Sequence, residues 1–138
     1  MKLDQKHFQK KHFSGDDLAK LAANCKRDLD IAKKSDVPEV VFKFSYDAFL
    51  KGCIALVAAE GYRPNSKLRH HRAVISAARR VLGSKFRDRI IYCDTMRKKR
   101  NLDLYGGGVI VSLSESRQFL KVVSEIFEEI EKRLLAGQ

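Results

Sequence analysis

With 138 residues the chain has room for one hydrophobic core and so for one domain. Its hydrophobic share of 44% argues against disorder. No apolar run approaches the length of about eighteen residues that a membrane span needs, and the N-terminus carries no apolar signal region, so a soluble cytoplasmic protein without membrane partners is expected. The formal net charge of +11 is concentrated in one third of the chain. Residues 63–100 hold thirteen Lys or Arg against two Asp, whereas the rest carries fifteen basic and fifteen acidic groups. A localised basic field is the footprint of a polyanion-binding surface, with a merely solvated face as the plainer alternative.

Residues 1–13, MKLDQKHFQKKHF, read as a basic, flexible arm ahead of a single helical domain over 14–138. His7 and His12 are five residues apart, which does not put them on one helical face. A first helix is predicted from Ser14 or Asp16 to about Lys34, capped by Ser14 and favoured at its positive end by Asp16 and Asp17. Leu18, Leu21, Ala22, Cys25, Leu29 and Ala32 form its inner stripe. A second helix starts near Pro38 and stops at Gly61; its middle, FLKGCIALVAA, is apolar on most sides, which marks a central element. Gly52, Ala55 and Ala59 would let another helix approach closely.

Ser66 caps a third predicted helix that ends at Gly83, with Leu68, His71, Ile75, Ala78 and Leu82 inside and Arg69, Arg72, Arg79 and Arg80 decorating it. His70 falls off that stripe. Ser84 opens a fourth helix whose last turns read MRKKRNLDLY before the triple glycine 106–108. Phe86, Ile90, Cys93 and Leu104 share a face with Arg97 and Arg100; Lys98 and Lys99 point away, and Asn101 and Tyr105 lie along one edge. An arginine in an apolar stripe is costly to bury unless paired, so Arg97 and Arg100 reach a carboxylate, line a polar cleft, or are solvated where the stripe ends. The fifth helix starts at Ser112 or Ser114, with Glu115 placed to close a capping box on Ser112. Phe119, Val123, Ile126, Ile130 and Leu134 face inward, and Glu125, Glu128, Glu129 and Glu131 make an acidic outer face. With no convincing strand pair, the fold class is all-α, an up-and-down bundle of four to five helices.

Cys25, Cys53 and Cys93 are far apart and fall on apolar faces, as small buried hydrophobes do. No zinc spacing is present, and neither a metal nor another cofactor is expected. No glycine-rich loop precedes a helix, and no serine elbow or paired carboxylates stand out. Arginine, asparagine, tyrosine and two histidines remain, a set suited to phosphodiester chemistry without a metal. Tyr105 is a poor proton carrier because tyrosine ordinarily titrates at about 10, but it can hydrogen-bond or stack on a base.

The five-helix pattern, the basic third-to-fourth helix region, RKKRN-LDLY before a glycine loop, and LVAAEGYRP followed by HHRAVI together resemble the HEPN domain, in a bacterial branch, from about Asp16 to Leu135. The resemblance implies a helical bundle that commonly dimerises. It implies either a metal-independent endoribonuclease of toxin–antitoxin, CRISPR and other defence systems or a binding module beside a small nucleotidyltransferase. Arg100 matches the motif arginine and Asn101 the polar residue after it. No histidine occurs over residues 102–107, and Tyr105 stands in its place. The resulting Arg-x4-Tyr resembles versions that bind rather than cleave. Arg100, Asn101 and Tyr105 are thus the catalytic-position residues. Arg97, Lys98, Lys99, Arg100, His70, His71 and Arg72 are the expected contacts to RNA or a nucleotide. A homodimer and a nucleotidyltransferase, toxin or antitoxin partner are implied. Two alternatives stay open. One is an active ribonuclease using His70 or His71. The other is a structural or adaptor module with its arginines paired to acids such as Asp94 or Asp103.

Overall fold

The computed structural model describes residues 2–65, 71–106 and 111–136, and the side chains of all of these except 100–106. Among them are five α-helices: α1 (Gly15–Lys34), α2 (Pro38–Ala59), α3 (His71–Leu82), α4 (Arg87–Gly106, entered through a 3-10 turn at Ser84–Phe86) and α5 (Leu113–Ala136). The all-α bundle read from the sequence is the fold observed. The predicted caps fall where the chemistry put them. Ser14 Oγ accepts from Asp17 N while Asp17 accepts from Ser14 N, and Ser112 Oγ accepts from Glu115 N. The Ser66 cap lies outside the described residues.

The absence of a strand pair is corrected. β1 (Phe8–Lys10) pairs antiparallel with β2 (Tyr62–Pro64), Gln9 opposite Arg63. Three residues are too few to show an alternating pattern, and the partners lie more than fifty positions apart. What drives the pairing is burial: Leu3, Phe8 and Tyr62 reach the core. Backbone bonds from Lys11 N to Gly61 O and from Asn65 N to His7 O extend the ladder. The N-terminal segment read as an arm therefore lies against the bundle over these residues.

α2 is the central element and packs on each of the other four helices. Phe49, Leu56 and Val57 are fully enclosed, as are Phe119, Ile126 and Ile130 of α5. Each such side chain contributes about 1.5–3 kcal/mol by leaving water. Gly52 has the close-packing role its size suggested, since a Cβ there would lie 3.3 Å from Ile130 Cδ1 and 3.6 Å from Cys25 Sγ. All three cysteines are free and buried. No described helix is long and apolar enough to cross a membrane.

α3 turns into α4 at Gly83, whose φ of 82° lies in the left-handed region that favours glycine. The last carbonyls of α3 would be orphaned there. Arg133 of α5 satisfies them, donating from Nη1 to Val81 O (2.8 Å) and from Nη2 to Leu82 O (3.4 Å). This corner sets α3 and α4 side by side with a groove between them.

Candidate functional site: a basic groove between α3 and α4

Helix periodicity builds the groove. Arg72, Ser76 and Arg79 recur at i, i+4 and i+7 along α3, and Ile91, Asp94, Thr95 and Lys98 follow the same rhythm on α4. Between them is a cavity of about 680 Å³, with Ala73, Ile75, Ile90 and Ile91 supplying its apolar lining. His7 closes one side. It is held there because Asp4 Oδ2 lies 3.0 Å from its Nδ1, and because Asn65 Nδ2 donates to Lys6 O at 2.8 Å.

The charges of this wall do not cancel. Among the described residues Asp94 is the one carboxylate lining the groove, and it is already engaged. Arg97 Nε donates to Asp94 Oδ1 at 2.8 Å, and Lys98 Nζ stands 3.5 Å from Oδ2. Among the described residues, Arg72 and Arg79 have no carboxylate within ion-pair distance. Both are exposed on the groove wall.

A second polar cluster lies beside the groove. The Tyr46 hydroxyl of α2 and His71 Nδ1 are 3.0 Å apart, and their rings meet at a tilt. Burial pushes the Tyr46 phenol above its ordinary range, and the Arg97 charge opposes that shift. Only 14% of the Arg97 side chain is exposed, so its apolar-face position is resolved by pairing with Asp94 rather than by solvation.

The sequence-predicted residues therefore separate. Arg72 and Lys98 line the groove. Arg97 is turned inward to Asp94, and His71 is bonded to Tyr46. Lys99 pairs with Glu115 at the start of α5, and this contact holds the Glu115 carboxyl below its usual range. The side chains of Arg100, Asn101 and Tyr105, with all of His70, lie outside the described residues. Arg79 was read from the sequence only as a residue decorating the third helix and was not among the expected contacts; its two-turn spacing from Arg72 is the signal that could have placed it on the same wall. His7 and Tyr46 carried no such signal, because their contacts depend on how distant segments pack. Among the described residues no group of three or more His, Cys, Asp or Glu could hold a metal ion. The chain matches no family model, no curated protein and no solved structure among those compared with it.

Proposed function

We propose that this chain is a HEPN-like helical domain that binds RNA or nucleotide phosphate through the α3/α4 groove, as a binding module rather than a nuclease. The observation that carries the reading is the charge imbalance of the groove wall: Arg72 and Arg79 are uncompensated while Asp94 is neutralised by Arg97 and Lys98. Guanidinium groups without a carboxylate are free to take phosphate oxygens in a forked geometry. The family reading rests on RKKRN-LDLY and the helix-two ending, together with the helical bundle. It brings with it a cytoplasmic homodimer working beside a nucleotidyltransferase or a toxin–antitoxin partner. The test is fluorescence anisotropy of a labelled RNA against wild type and Arg72→Ala/Arg79→Ala, with EDTA present and cleavage followed on gels. Salt-sensitive binding that weakens at least tenfold in the variant, with the RNA left intact, supports the proposal.

Two observations favour other readings. The Tyr46–His71 contact beside Arg97 is the kind of arrangement a ribonuclease could use to move a proton. EDTA-resistant cleavage abolished by both His71→Ala and Arg100→Ala would replace the binding role with that activity. The Arg97–Asp94 and Lys99–Glu115 pairs instead favour an adaptor, since basic residues engaged within the fold are not available to phosphate. Absence of RNA and nucleotide binding at low salt would leave the adaptor in front.

A further inference from the structure

The groove does not end at Arg79. A second cavity of about 400 Å³ opens at the α3–α4 corner, lined by Ser76, Arg79, Arg80, Gly83, Ser84 and Arg87. Ser76 and Arg79 line both cavities, so the two adjoin along the α3 wall. The second has a different chemistry. Among the described residues its lining has no carboxylate and no large apolar side chain; it offers three guanidinium groups and two hydroxyls. Asp88, next to Arg87, does not line it. Among the described residues none of the three arginines has an ion-pair partner.

These arginines are not needed to neutralise the end of α3. Arg133 already occupies the Val81 and Leu82 carbonyls there. Three like charges gathered round one hollow repel one another unless an anion enters. Apolar isoleucines beside cations in the first cavity suit a sugar and base, whereas the second suits phosphate alone.

Resting on the groove reading above, we propose that the corner cavity is a second phosphate subsite and that the ligand is single-stranded RNA rather than a mononucleotide. The cations span too great a length for one nucleotide. Arg87 and Lys98 are separated by eleven residues of α4, which is about 16 Å of helix rise. A stacked strand advances only about 3.4 Å per phosphate. The Lys98 side chain is 64% exposed and stands 3.5 Å from Asp94 Oδ2, a looser hold than that of Arg97. A backbone lying along the groove can therefore engage Lys98 and Arg72 at one end, Arg79 in the middle, and Arg80 and Arg87 at the other.

The experiment measures anisotropy of a labelled 12-nucleotide oligo(U) and calorimetric binding of AMP across a range of salt. It compares wild type, Arg80→Ala/Arg87→Ala, Arg80→Lys/Arg87→Lys and Arg72→Ala/Lys98→Ala. Thermal melts check that each variant is folded; all the altered side chains are exposed. Loss of Arg80 and Arg87 is expected to weaken the 12-mer at least about tenfold. It should also flatten the plot of log affinity against log salt by about 0.7 per arginine. The lysine variant should keep that slope, and AMP binding should not change. Unchanged affinity and slope for the 12-mer in Arg80→Ala/Arg87→Ala, with weakening only in Arg72→Ala/Lys98→Ala, overturns the second subsite and leaves the groove reading intact. Wild type binding neither ligand, or binding indifferent to Arg72→Ala/Lys98→Ala, removes the groove reading and this inference together.

Discussion

The Tyr46 hydroxyl and His71 Nδ1 meet at 3.0 Å across 25 residues of sequence, joining the middle of α2 to the first turn of α3. The contact fixes where α3 begins relative to the bundle, and hence the wall on which Arg72 sits one residue later. The charges of Arg97 and Asp94 both act on Tyr46, in opposite directions. One hydrogen bond thus connects the core to the groove.

Removing it has a defined signature. Tyr46→Phe is expected to cost about 0.5–1.5 kcal/mol of stability, the net worth of one hydrogen bond. The phenol is raised above its ordinary range by burial, so its neutral form is favoured in the fold. Its contribution is fully present below the unfolded value of about 10 and is lost as pH rises through the raised folded value. Urea unfolding between pH 8 and 11.5 should show a smaller alkaline loss in Tyr46→Phe than in wild type. Parallel profiles for the two proteins would contradict this account.

The cysteines give a second prediction. Burial pushes the Cys25 thiol up to about 12, and Cys53 and Cys93 higher still. A thiol held neutral and enclosed is a poor nucleophile. The native protein at pH 8 should leave a disulfide reagent such as DTNB nearly untouched, and three thiols should react in guanidinium. Rapid reaction of any one of them in the native state would place it at the surface.

Gly52 tests the packing of α1, α2 and α5. Gly52→Leu drives a branched side chain toward Ile130 Cδ1, only 3.3 Å from the position of the first added carbon. Overpacking of this kind costs about 1–3 kcal/mol, more than the modest helix-propensity gain from losing a glycine. Adding Ile130→Ala should recover part of that loss by opening space. A double variant whose loss equals the sum of the two single losses would mean the two sites do not share that space.

Much of this fold was legible because its signals are periodic and local. The stripe of α5, from Phe119 through Leu134, is buried at every predicted position, and Ser14 and Ser112 cap the helices they precede. The β1–β2 pair was hidden because Phe8 and Tyr62 come together only through tertiary packing. Arg72 and Lys98, expected from the sequence as contacts, both line the groove. Arg97 was left between a carboxylate, a polar cleft and solvent, with Asp94 and Asp103 as candidate acids, and the structure pairs it with Asp94, one turn back on the same helix. A helical wheel reports which face a residue occupies. It cannot report which neighbouring segment covers that face, and so it missed His7 and Tyr46.

Asp28 is the residue whose surroundings most contradict its type. It sits on the inner side of α1 with only 4% of its surface exposed, and its nearest cation is Lys51 Nζ of α2 at 2.7 Å. A carboxylate enclosed to that degree is tolerated when a cation or donors meet it, and removing the partner strands the charge. The Lys51 side chain is about half exposed, at 48%, so water can partly replace it. Lys51→Met is therefore expected to cost about 1–3 kcal/mol, short of the loss seen when a fully enclosed pair is broken. Asp28→Asn on its own should cost less, because a neutral amide is cheaper to bury than an unpaired carboxylate. Combining Asp28→Asn with Lys51→Met should restore most of the Lys51→Met loss. Urea unfolding of the four proteins yields the coupling between the two sites. Additive losses, with no recovery in the double variant, would mean that solvent rather than Lys51 stabilises the Asp28 charge.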